Sequence, residues 1–220
     1  FRFTPLQRQR ARAGLDIAEG DMVVLYAGRL SFHAKAHPLP MYAALQELSS
    51  KHQIHIIHFG VFSNVALEKG FKDGAQALCP NITCHWLDGS VDVNYDLAWH
   101  SADVFCSLAD NIQETFGLTP IEAMAAGLPV VVSDWNGYKE TVRHEVDGFK
   151  VLTSMPVAGS GLGLAQRYHL DIDNFDYYIG HTSQFVGVDI PQCVSAFDAL
   201  FSSHELRKKM GRSGQLRAQE

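Results

Sequence analysis

At 220 residues, with 46% hydrophobic and 19% charged side chains, the chain can bury a sizeable core and lies outside the composition of disordered segments. Its formal net charge of −6 argues against nucleic acid as the main partner, since a phosphate backbone demands a basic surface. No apolar run reaches the ~18 residues of a membrane span, and the 11 histidines and 4 cysteines show neither HExxH nor CxxC spacing, so no metal site is expected.

The opening FRFTPLQRQRARAGL is basic, lacks the apolar centre of a signal peptide and reads as a short helix. Without an initiator Met, the chain is expected to begin inside a longer protein. Residues 22–26 (MVVLY) form a continuous apolar run that ends in Ala27-Gly28-Arg29. A helical pattern over 38–51 precedes a strand at 54–59 that closes on Gly60; a helix over 64–78 leads to a strand at 82–87. A short helix at 95–101 and a strand at 104–108 follow, with Cys106 read as a buried thiol. A helix over 120–126 is expected to end at Gly127 as a left-handed cap, before the strand PVVVS at 129–133. Asn81-Ile82-Thr83 has the form of a glycosylation acceptor, but such triplets arise by chance.

Strands alternating with helices predict right-handed βαβ units, hence an α/β, doubly wound, Rossmann-like parallel sheet. In such sheets ligands bind at the carboxyl ends of the strands. The glycines at 28, 60 and 89 and the 114–119 loop all fall at those ends. Residues 153–187 are rich in Gly, Asp and Tyr with weak periodicity, and read as an excursion of loop and short helix. Their GSGLG piece follows no clear strand and reads as a flexible turn, and helices at 191–201 and 203–218 close the chain. One domain is the simplest count, with a core at 20–152 and C-terminal helices at 188–220.

The stretch ETFGLTPIEAMAAGLP places Glu114 and Glu122 on either side of a glycine turn. Taken alone, Thr119-Pro120-Ile121-Glu122 is a capping box, in which Glu122 serves only the helix end. The surroundings favour more. A helix start offers unpaired N–H groups and partial positive charge to a phosphate, and Gly117 opens the way to the amides of Phe116, Gly117, Leu118 and Thr119. A carboxylate accepts two hydrogen bonds side by side, which suits a vicinal diol. Arg29 and Lys35 follow the first strand and can clamp phosphate oxygens. Together these features outline a site for a nucleotide-diphosphate sugar.

The E-x7-E pattern with its internal FG, the following EAMAAGLPVVVSD and the upstream AGR…K resemble the donor-binding domain of the GT-B retaining glycosyltransferases, within them the family-four group. The likeness runs over about 23–151. It implies that the chain is one half of a two-domain enzyme whose N-terminal acceptor domain lies outside it. By this resemblance Arg29, Lys35 and Glu114 are the catalytic residues: the two cations bind the diphosphate and Glu114 faces the transferred sugar. Glu122 would hold the ribose; Gly28, Phe116, Gly117, Leu118 and Thr119 would line the donor; Trp86 would wall the base. The implied substrate is a UDP-, GDP- or ADP-sugar, transferred with retention to a sugar or glycan hydroxyl, with no cofactor and no metal. The fragment alone is expected to bind donor with little transfer activity. A cytoplasmic bacterial enzyme of polysaccharide biosynthesis is implied, with any peripheral membrane contact made through the other half. A phosphorylase, a sugar-nucleotide epimerase and a non-catalytic nucleotide-sugar-binding module are the alternatives. The polar DNIQ before Glu114 and the 153–187 excursion depart from the family pattern.

Overall fold

The computed structural model describes residues 3–220; Phe1 and Arg2 of the predicted opening helix lie outside the described residues. Six strands, β1 (Met22–Ala27), β2 (Ile54–Gly60), β3 (Thr83–Asp88), β4 (Val104–Ser107), β5 (Val130–Ser133) and β6 (Gly148–Val151), form one sheet. Their order is β3-β2-β1-β4-β5-β6, and every pairing is parallel. The doubly wound α/β expectation therefore holds. A separate antiparallel pair joins β7 (Thr153–Ser154) to β8 (Gly187–Val188).

The helices are α1 (Pro5–Gly14), α2 (Leu39–Leu48), α3 (Val65–Leu78), α4 (Asp92–Ser101) and α5 (Leu118–Ala125). They continue with α6 (Tyr138–Thr141), α7 (Leu162–His169), α8 (Phe175–Ser183), α9 (Ile190–Ser202) and α10 (His204–Arg217). Strand residues alternate between two cores, which is why the strands read as unbroken apolar runs. Val24, Tyr26, Ile56 and Cys106 pack with Tyr42 of α2, Phe71 of α3 and Phe197 of α9 on one face. Val23, Leu25, Ile57 and Phe105 pack with Trp99 of α4 and Ala123 and Met124 of α5 on the other. The thiol of Cys106 is buried as expected, and burial pushes its pKa up.

Arg12 lashes α1 to the sheet. Its guanidinium pairs with Asp103 at 2.5 Å and donates to the carbonyls of Ser101, Ala18, Glu19 and Asp21. Asp103 in turn accepts from the amide of Val23 at 2.9 Å, which fixes the start of β1. The chain runs from β1 outward to β2 and β3, then returns to place β4 on the other side of β1. That reversal makes the carboxyl ends of β1 and β4 the point where a crevice opens.

The excursion carries more order than its sequence pattern predicts, with β7, α7 and α8 inside it and β8 beginning at its last residue. The GSGLG piece is a turn only over its first three residues, with Gly159 at φ +95°; Leu162 and Gly163 already belong to α7, and open space surrounds Gly159, Gly161 and Gly163. Most of the large side chains of α7 and the start of α8 face outward, Leu162, Tyr168, Phe175 and Tyr177 among them.

Candidate functional site

The loops after β1 and after β4 meet at the crevice. An isolated antiparallel bridge joins Ala36 to Ala109, and the Tyr26 hydroxyl donates to the Ala36 carbonyl at 2.9 Å. The polar DNIQ segment grips the β1 loop through side chains. Asn111 Nδ2 donates to the His33 carbonyl, and Gln113 Nε2 donates to the Ala34 carbonyl at 2.6 Å. Asn111 is fully buried, and its own carbonyl accepts from Trp135 Nε1 at 3.0 Å. Residues on both sides of the site are thus locked around Lys35.

Lys35 Nζ forms an ion pair with Glu114 Oε2, and both side chains are mostly buried. The Tyr138 hydroxyl also donates to Oε2 at 3.4 Å and shares a hydrogen bond of 2.8 Å with Ser107. Both bonds fall on one carboxylate oxygen, and Oε1 of Glu114 accepts none among the described residues. Nζ carries three donors, so two remain beyond the pair. Burial and the negative charge of Glu114 raise the pKa of Tyr138, so this phenol stays protonated as a donor.

Gly28, at φ +131°, sits where a Cβ would lie 3.5 Å from Lys35 Cε and 3.6 Å from Thr119 Cγ2. The end of β1, Lys35 and the start of α5 therefore share one small volume. Glu122 stands on the next turn of α5. Desolvation raises its pKa, and the charge of Lys35 pulls it back. Lys35 is accordingly within electrostatic reach of both acids.

The helix tip corrects the capping-box reading of 119–122. The helix begins at Leu118, its N-cap is Gly117 at φ +82°, and no side chain among the described residues caps it. The hydroxyl of Thr119 is buried against the phenol of Tyr138, and the carboxylate of Glu122 makes no bond back to the cap among the described residues. Among the described residues, no acceptor takes the amides of Phe116, Gly117, Leu118 or Thr119. Gly117 is obligatory for a second reason: a Cβ there would lie 2.2 Å from Tyr138 Cε1. Phe116 and Leu118 point into solvent beside the tip.

Arg29 is exposed and has no ion pair among the described residues. It lines a cleft of about 360 Å³ with Gly28, Phe59, Gly60, Val61 and Gly89. All three strand-end glycines singled out in the sequence therefore border one space. Trp86 does not line it. Period-two alternation turns this residue to the α3 face, where it stacks on His58 with ring centroids 4.0 Å apart and lies beneath Lys72. Asn111, Gln113 and Tyr138 were not singled out from sequence as site residues. The polar departure at DNIQ was the available signal for the first two, and nothing local marked Tyr138.

Residues 7–155 match the family described as Glycosyl transferases group 1. A D-inositol 3-phosphate glycosyltransferase of Geodermatophilus obscurus is 31% identical over 167 residues, which span 68% of this chain and 34% of that protein. The chain spans about a third of the length of the curated relatives it matches, with shares of 35%, 34% and 37%. Among solved structures, Anabaena Alr3699/HepE in complex with UDP and glucose superposes with a TM-score of 0.65 at 19% identity, over 99% of this chain and 48% of that one. The C-terminal domain of a glycosyl transferase group 1 family protein (LpcC) of Francisella tularensis gives 0.60 at 17% identity, over 96% of this chain and 91% of that one. These likenesses agree with the sheet order in assigning a GT-B type fold. With the family match covering well over half of its residues, the chain belongs to the glycosyl transferases group 1.

Proposed function

We propose that the chain is the nucleotide-sugar donor-binding half of a retaining, family-four-type glycosyltransferase, acting on a UDP-, GDP- or ADP-sugar. The observation that carries this reading is the Lys35–Glu114 pair set beside an uncapped helix tip, with Arg29, unpaired among the described residues, at the rim. The amides of Phe116, Gly117, Leu118 and Thr119 and the two cations face the diphosphate. Glu114, held through Oε2, offers Oε1 to hydroxyls of the transferred sugar, and Glu122 takes the ribose diol. As the bond to the anomeric carbon breaks, negative charge grows on the leaving diphosphate. Preorganised donors of this kind contribute roughly 3–4 kcal/mol each to such charge. Arg29 and Lys35 supply the positive charge in this scheme, and no step is assigned to a metal. The acceptor reaches the site from the other half of a two-domain enzyme, so the fragment binds donor and transfers little.

Calorimetry with UDP, GDP, ADP and their sugars tests the reading. At least one nucleoside diphosphate is expected to bind, and Lys35→Ala to weaken it far more than the matching nucleoside. Heat from none of them would overturn the donor-site assignment. Equal loss for diphosphate and nucleoside would take Lys35 out of the phosphate site. In the full-length protein, turnover that requires inorganic phosphate as cosubstrate would favour a phosphorylase instead.

A further inference from the structure

A second cavity, of about 240 Å³, lies between the 31–37 loop and α8. Its walls include Phe32, His33, His37, Asp176, Tyr177 and Gln184. Gly180 lets α8 close on the loop, since a Cβ there would stand 2.9 Å from His33 Cβ. The chemistry of the lining is selective. Tyr177 stacks on His181 at 3.8 Å, and Phe32 packs against His37 at 4.9 Å, so flat apolar faces form part of the wall. The side chains of Asp176 and Gln184 make no hydrogen bond or ion pair among the described residues. No Lys or Arg among the described residues lines the space, and burial lowers the pKa of His37, which keeps that ring neutral near pH 7. The lining therefore disfavours phosphate and carboxylate ligands and suits a neutral one that has a flat apolar face and several hydroxyls. Drug-sized ligands occupy roughly 300–1,000 Å³, so this smaller cavity matches a single ring.

Its position adds to the argument. His33 and His37 flank Lys35 on one loop, and the His33 carbonyl is held by Asn111, three residues before Glu114. The cavity and the candidate donor site thus share a wall. We propose that the cavity is a carbohydrate subsite for one neutral pyranose ring of the acceptor, stacked on Tyr177 and hydrogen-bonded by Asp176 and Gln184. That the sugar is an acceptor unit rests on the donor-site reading above; that the cavity binds a sugar does not.

Saturation-transfer NMR on the 220-residue protein, with methyl glycosides of glucose, galactose, mannose and N-acetylglucosamine, tests the proposal. At least one glycoside is expected to bind with a dissociation constant on the order of millimolar. Asp176→Ala and Tyr177→Ala, both at exposed positions, should each weaken it about fivefold or more. The same variants should bind nucleoside diphosphate as the parent does. Absence of transfer to every glycoside would overturn the subsite, as would binding that both substitutions leave unchanged, which would seat the sugar elsewhere. Calorimetry with nucleotides in parallel judges the donor site separately, so the two ideas fail independently.

Discussion

Gly117 occupies a position that its backbone and its neighbour both restrict. Its φ of +82° lies in the left-handed region, and the aromatic ring of Tyr138 fills the space where a side chain would go. That contact bares the helix tip, because a residue with a polar side chain at this N-cap would occupy the approach to the amides. Gly117→Ala is therefore expected to destabilise the protein by at least about 2 kcal/mol, through strain and overpacking together. Urea denaturation at unchanged m-value reads this directly. Tyr138→Phe keeps the ring but removes the hydroxyl shared with Ser107 and Glu114. A loss of about 1 kcal/mol is expected there, with weaker binding of the nucleotide sugar but little change for the nucleoside diphosphate. A Gly117→Ala variant as stable as the parent would mean that the tip relaxes, and the bare-tip argument would lose its footing.

At the scale of elements, the β1 and β4 loops act as one unit because Asn111 and Gln113 clamp the carbonyls of His33 and Ala34. Neither side chain is placed on the donor in the proposed scheme, so both position Lys35 rather than bind. Gln113→Ala is expected to cut nucleoside diphosphate affinity about fivefold, the worth of one net hydrogen bond, and to leave nucleoside affinity unchanged. Equal affinity for the diphosphate in parent and variant would show that Lys35 holds its place without the clamp. The α1 tie makes a different prediction: Asp103→Ala strands the buried guanidinium of Arg12 and should cost about 3–5 kcal/mol in denaturation. These couplings also explain what the sequence does and does not disclose. Runs such as MVVLY and VVVS are apolar on both faces and so announce buried parallel strands, and Gly127 marks its helix end at φ +82° as expected. Helix α5 starts at Leu118, two residues before the expected Pro120: T-P-x-E carries a strong local capping preference, and the packing of Gly117 on Tyr138 overrides it. The short helix expected within 153–187 is two helices, and α7 is the harder to read because it buries no side chain, so no apolar period is imposed on its sequence. The positions of Glu114 and Lys35 were legible as chemistry; their contact, made across 79 residues, is a product of the fold.

Across the whole molecule, two buried titrating groups set opposing pH dependences. His58 is fully buried, bonds to the Tyr42 hydroxyl at 2.6 Å, and has its pKa pushed down to about 3 by desolvation. Below about 6.5 the unfolded chain takes up a proton at this position that the folded chain refuses, so His58 removes stability as pH falls from about 6.5 toward 3. Burial also lowers the pKa of His37 and His85, which adds to the same side. Asp110 is the converse case. Desolvation raises its pKa to about 7, against which the amides of Asp110 and His37 pull only partly. Its unfolded carboxyl ionises above about 3.9 while the folded one stays protonated, so Asp110 removes stability as pH rises from about 4 to 7. Between about pH 4.5 and 6 the two slopes oppose each other in the parent protein, and single substitutions separate them. Relative to the parent, Asp110→Asn should lose about 2 kcal/mol more on acidification from pH 6 to 4.5, at about 1.4 kcal/mol per pH unit. His58→Gln, whatever its overall cost, should shift by the same amount in the other direction over that interval. Urea denaturation at the two pH values measures both, and parallel pH profiles for all three proteins would show that neither group changes its proton occupancy on folding.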